Sequence, residues 1–152
     1  MTDLLEGGCA CGAVRYRLGS APMFVHCRDC QRQVGSAFAI NALIEADRHT
    51  VVSGETAPSL MPTDSGRPHA IFRCSACGTA LWSEYGGRGS IRFVRVATLD
   101  DPAALAPDVH IYTRSKLPWV KLPDGVPAFA AYYEFRTLWP AASLDRRRAL
   151  RG

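Results

Sequence analysis

Six cysteines arranged as three close pairs constrain this chain more than any other feature of its sequence. The pairs are Cys9-Ala10-Cys11, Cys27-Arg28-Asp29-Cys30 and Cys74-Ser75-Ala76-Cys77. Spacings this short present two thiolates to one ion, and 152 residues are enough to bury a core without crosslinks. The opening "MTDLLEGGCACG" lacks a basic stretch followed by an apolar core, and no segment approaches the ~20 apolar residues of a membrane span. The chain is therefore expected to be cytoplasmic. In that reducing compartment, close-paired cysteines are metal ligands rather than disulfides.

A closed tetrahedral zinc site takes four ligands, so two pairs complete one site and the third is left over. Spacing alone chooses the two C-x-x-C pairs, the usual ribbon pattern, and does not settle which pair is spare. Gly78 after "CSAC" suits a tight knuckle whose backbone N–H groups point at sulfur. In "CACG" the i, i+2 spacing sets both sulfurs on one side of an extended segment. Of the four histidines, His49, His69 and His110 read as structural or exposed. His26, beside Cys27, is the one with a claim on a metal.

The net charge of +4 is concentrated at one end. Arg146, Arg147, Arg148 and Arg151 against Asp145 leave +3 in the last residues, so the body is nearly neutral and nucleic acid is not an expected partner. That tail reads as a solvated terminal helix starting at Ser143 or as a frayed end.

Period-two alternation in "AVRYRL" predicts a strand with Val14, Tyr16 and Leu18 on one face and Arg15 and Arg17 on the other. "AFAINALI", "TVVSG", "HAIFRC", "ALWSEY", "SIRFVRVAT" and "VHIYT" are further strand candidates, separated by glycines and prolines. In "SIRFVRVAT" the apolar phase changes at Phe93-Val94, which predicts a bulge. A short turn is expected at "DDPAAL". Many short strands with turns between them indicate a mainly β domain. In "YTRSKLPWVKLPDGVPAF", Pro118, Pro123 and Pro127 forbid a continuous helix or central strand. It reads as a long ordered loop that either covers a site or is a surface connection pinned by a buried Trp119.

The ordered set "GGCACGAVRYRL", "HCRDCQRQVGSAF", "FRCSACGTALW" and "YTRSKLPWVKLPDGVPAF" resembles the glutathione-dependent formaldehyde-activating family, whose domain is shared with centromere protein V. The likeness runs from about Leu5 to Phe135. It divides the chain into a family-type zinc-binding domain, 1–136, and a basic C-terminal tail, 137–152. The resemblance implies a β-tent fold, small antiparallel sheets tied by a structural zinc. It assigns that ion to Cys9, Cys11, Cys74 and Cys77, overruling the choice from spacing.

It also makes the middle pair functional. The family's motif there is C-H-C-x-x-C, giving three sulfur ligands and one open position, whereas this chain has Val25, His26, Cys27, Arg28, Asp29 and Cys30. One sulfur is missing. A second zinc at Cys27 and Cys30 would be held by two thiolates and is expected to be partly occupied. The implied activity is that of a carbon–sulfur lyase on thiol–aldehyde adducts, with a small thiol such as glutathione as partner and formaldehyde as the family's example. Arg32, Arg114 and Lys116 are candidate carboxylate binders, and Gly35, Ser36 and Phe38 belong to the same middle motif. The alternative is a non-catalytic zinc module that binds a partner through the proline-rich loop or the basic tail.

Overall fold

The computed structural model describes residues 4–28 and 31–151, for Cys27 and Arg28 the backbone alone. It is mainly β, as expected, and is built of two sheets. β1 (Leu5–Gly8), β2 (Arg15–Leu18) and β5 (His49–Ser53) form a three-stranded antiparallel sheet in the order β1-β2-β5. The larger sheet contains β3 (Phe24–Arg28), β4 (Ala39–Glu45), β6 (Thr56–Met61), β7 (His69–Cys74), β8 (Ala80–Tyr85), β9 (Ile91–Arg95) and β10 (Val109–Ile111). Its order is β10-β3-β4-β9-β8-β7-β6. The pairings are antiparallel except that β10 runs parallel to β3. Among the described residues three α-helices complete the fold: α1 (Gln31–Val34), α2 (Phe135–Leu138) and α3 (Ala141–Ala149).

The alternation read in "AVRYRL" is realised in β2. Tyr16 and Leu18 are buried, while Arg17 and Arg15 reach outward to Glu6 and Asp100. Tyr16 and Leu18, together with Val14 just before the strand, pack between the sheets against Val25, Ala42, Ile44, Trp82 and Val94. The other face of the large sheet carries Phe24, Leu43, Val109 and Ile111, which Tyr133 and Trp139 cover. Strands β3, β4 and β9 are thus apolar on both faces.

Two-sided burial explains why no bulge forms at Phe93-Val94. Phe93 pairs with Leu43 and Val94 with Ala42 in unbroken register, one residue serving each core. The phase change marks a strand with two apolar faces. The register shifts lie at Arg15/Tyr16 and Phe72/Arg73.

A 3-10 turn occupies Pro102–Ala104 at "DDPAAL", and the Asp101 carboxylate accepts from the Ala103 N–H. The proline-rich segment is a loop, but Trp119 is 70% exposed and pins nothing. The tail is helical and docked rather than freely solvated. The Ser143 hydroxyl donates to the Met23 carbonyl at 2.7 Å, and the Arg146 guanidinium pairs with Glu45.

Candidate functional site

Two knuckles of equal size form where the sheets meet. In the β1–β2 connection the Cys9 N–H donates to the Val14 carbonyl at 3.1 Å, and the Gly12 N–H donates to the Cys9 carbonyl at 3.1 Å. In the β7–β8 connection the Cys74 N–H donates to the Thr79 carbonyl at 2.9 Å, and the Gly78 N–H to the Cys74 carbonyl at 2.9 Å. Gly12 and Gly78 close these turns at φ +79° and +78°, left-handed conformations that a side chain would strain. Each knuckle turns its thiols toward the other.

The Sγ atoms of Cys9, Cys11, Cys74 and Cys77 all lie within 4.8 Å of one another, a group that could hold a metal ion. A tetrahedral ion with sulfur at ~2.3 Å requires sulfur–sulfur edges of ~3.8 Å. Cys9 and Cys11 stand at 3.4 Å, and Cys11 and Cys74 at 3.9 Å. The donor set therefore fits a thiophilic divalent ion, and all four thiols are free. The ribbon pattern suggested by spacing is not adopted, because Cys74 and Cys77 share their cluster with the C-x-C pair.

The surroundings favour thiolate. The Val14 N–H points at Cys9 Sγ at 3.2 Å and the Cys77 N–H at Cys74 Sγ at 3.5 Å. The Thr79 hydroxyl lies 3.1 Å from Cys77 Sγ and, with the Thr79 N–H, draws the Cys77 thiol down to about 5. At Cys11 the Ala13 N–H acts in the same direction, but hydrogen bonding with Cys9 and Cys77 outweighs it and pushes that thiol up to about 11.

At the middle motif, Cys30 and the side chain of Cys27 lie outside the described residues. The Cys27 backbone pairs with Ile40 on one side and His110 on the other. Val25 is 4% exposed within the inter-sheet core. His26 belongs to the opposite core, where its Nε2 lies 2.6 Å from the Tyr133 hydroxyl. The ring that sequence made the metal candidate thus has this nitrogen engaged by a tyrosine.

Two clefts flank α1 and meet at Gln33. One, of about 530 Å³, is lined by Arg32, Gln33, His69, Tyr85 and Arg114 among others. The second, of about 480 Å³, includes Gln33, Ser36, Phe38, Ile40, Arg73 and Arg95. Arg32 and Arg114 therefore share a cleft, as candidate carboxylate binders should. Lys116 is used differently: its Nζ donates to the Leu117 and Val120 carbonyls at 3.3 and 2.8 Å and braces the loop. Sequence offered no signal for His69 or Tyr85, and it placed Gln33 in the middle motif without a role. β7–β8 pairing sets His69 opposite Tyr85, and the tertiary fold brings α1 with Gln33 to them.

A mainly β domain whose two sheets meet at a four-thiol centre, with two clefts flanking α1, defines the class. The chain belongs to the glutathione-dependent formaldehyde-activating enzyme family, whose model matches residues 4–115. It is 30% identical over 127 residues, 78% of this chain and 81% of the relative, to a Halomonas elongata protein provisionally named a glutathione-dependent formaldehyde-activating enzyme. It is also similar to a Rhodobacter sphaeroides protein of known crystal structure, with 21% identity, a TM-score of 0.48, and coverage of 82% of this chain and 98% of that one. No helix among the described residues is long and apolar enough to cross a membrane.

Proposed function

We propose that the chain is a zinc-dependent carbon–sulfur lyase acting on thiol–aldehyde adducts of the glutathione and formaldehyde type. In this reading Cys9, Cys11, Cys74 and Cys77 hold a structural zinc, and Cys27 and Cys30 hold a second, catalytic one. The cytoplasm, which keeps both glutathione and these cysteines reduced, is the compartment the chemistry asks for. The observation that carries the proposal is the 530 Å³ cleft at Arg32 and Gln33, two and three residues beyond Cys30, with Arg114 reaching it from the proline-rich loop.

Glutathione carries two carboxylates, and a guanidinium fork binds a carboxylate through two parallel hydrogen bonds. Arg32 and Arg114 give the cleft two such forks, while Gln33 and Tyr85 offer donors and acceptors for peptide groups. A zinc ion with an open position would supply a thiol substrate held as thiolate and polarisation of a carbonyl oxygen. The reaction balances without redox chemistry. The sulfur lone pair forms the bond to the carbonyl carbon, the carbonyl π pair moves to oxygen, and oxygen takes the proton that the thiol gave up. The reverse cleaves the carbon–sulfur bond.

Formaldehyde consumption in the presence and absence of glutathione, for wild type and Cys30→Ser, tests this. Thiol-dependent turnover should be lost in the variant while its circular dichroism is unchanged. Equal turnover in both proteins would remove the catalytic role of the middle motif. A second reading, a non-catalytic zinc module that docks a partner, draws on the exposed Trp119 of the proline-rich loop. It predicts partner binding that survives Cys30→Ser and is weakened by Trp119→Ala.

A further inference from the structure

Val25 stands where the family's middle motif has its first cysteine, and its burial against Ala42 and Val94 gives it a purely apolar role. A metal centre at Cys27 and Cys30 is thereby one protein donor short. His26 Nε2 does not supply it, being engaged by the Tyr133 hydroxyl.

β10 lies parallel to β3, in a register that sets His110 beside Cys27. Val109 and Ile111, on either side of His110, pack into the core beneath Tyr133 and Trp139. Side chains alternate along a strand, so the His110 ring goes to the other face of the sheet, the face that carries Val25. There it is 4% exposed, and among the described residues neither Nδ1 nor Nε2 has a hydrogen-bond partner. Buried polar groups in native proteins are nearly always satisfied. A histidine with both ring nitrogens unmet, in register with a cysteine of a motif that lacks a ligand, has the placement of a donor awaiting its ion.

We propose that His110 is the third protein ligand of the middle-motif metal centre, taking the place of the missing cysteine. The assignment rests on the reading of Cys27 and Cys30 as metal ligands. Two thiolates and one imidazole leave the fourth position of a tetrahedral ion open for substrate. Replacing a thiolate with a neutral imidazole also removes one negative charge, so the ion withdraws more electron density from whatever occupies that position. The third donor was invisible in the sequence because Cys27 and His110 are 83 residues apart and only the parallel pairing joins them.

Cobalt(II) titration of the metal-free protein, read by visible absorption, counts filled sites independently of activity. The expected result is two equivalents in the wild type and one in His110→Ala. The bands of the four-cysteine centre should persist in the variant and report that it has folded. Val25→Cys in the His110→Ala background should regain the second equivalent. His110→Gln, closer in size, gives the same comparison if the alanine variant does not fold. Two equivalents with unchanged spectra in the His110 variants would overturn the His110 assignment alone and leave the second metal centre standing. One equivalent in the wild type would overturn the second centre, and the role of His110 with it.

Discussion

The Tyr133 hydroxyl meets two buried partners at once. The Trp139 indole N–H is a donor only, so at 2.7 Å the hydroxyl accepts there, and the same hydroxyl lies 2.6 Å from His26 Nε2, with the direction of that bond set by the histidine tautomer. This orients His26 within the core under the C-terminal helices. Tyr133→Phe keeps the ring and removes both bonds, taking this partner from the buried Trp139 indole N–H and from His26 Nε2. The expected loss is about 2–3 kcal/mol of unfolding free energy, measured by urea titration; a loss within error would mean that water replaces the hydroxyl. At this scale the sequence was legible where spacing carries the chemistry. The close cysteine pairs and Gly12 and Gly78 could be picked out directly, because a tight turn around an ion needs thiols a few residues apart and a residue tolerant of positive φ, while which two pairs share the ion came from the family resemblance and not from spacing. It was silent on Tyr133, and it drew attention to His26 through its place beside Cys27, although successive residues of one strand take opposite faces.

α3 shows what an element contributes beyond its charge. The tail was read as solvated because of its arginines, yet Arg146 donates to both Glu45 carboxylate oxygens, at 2.7 and 2.6 Å, and to the Ala21 carbonyl. Burial alone would raise the Glu45 carboxyl, but the Arg146 hydrogen bonds outweigh it and hold the group below its ordinary value. A carboxyl depressed in the folded state contributes stability above its unfolded pKa, and that stability is lost as pH falls through the folded value. Arg146→Ala leaves Glu45 buried and unpaired and should cost about 2–3 kcal/mol at pH 7, less than a fully buried pair because Arg146 is partly exposed. The gap to wild type should shrink below the ordinary carboxylate range, as urea midpoints at pH 7 and pH 3 would reveal. A gap independent of pH would assign the cost to packing instead. Among the strands, those with clear alternation or compact apolar runs were readable, while β1, β3 and β6 were not. β1 is half glycine and β3 is interrupted by His26. β6 contains Pro58, tolerated because this strand is the edge of the sheet.

The whole molecule joins its two sheets through the inter-sheet core and the four-cysteine centre. Cys9 and Cys11 follow β1, and Cys74 and Cys77 lie at the end of β7 and in the turn beyond it. An ion there is a clasp between layers that already share an apolar core, so its removal should loosen the small sheet without unfolding the large one. Chelation is expected to lower Tm by about 10 °C or more, at roughly 2–4 °C per kcal/mol for a chain of this size. Amide exchange should accelerate first in β1 and β2 and last in β4 and β9. Uniform acceleration would mean that the clasp holds the entire fold. The sequence by itself determined the mainly β class, the family, the knuckle cysteines and the missing sulfur at Val25, because each is written in residues a few positions apart. Only the tertiary structure decided that His26 turns away, that Arg32 and Arg114 share a cleft, that the arginine tail is docked and that His110 stands beside Cys27. Those facts depend on which strand lies next to which, and strand order is set by burying two apolar faces of one sheet, a choice that no local pattern encodes.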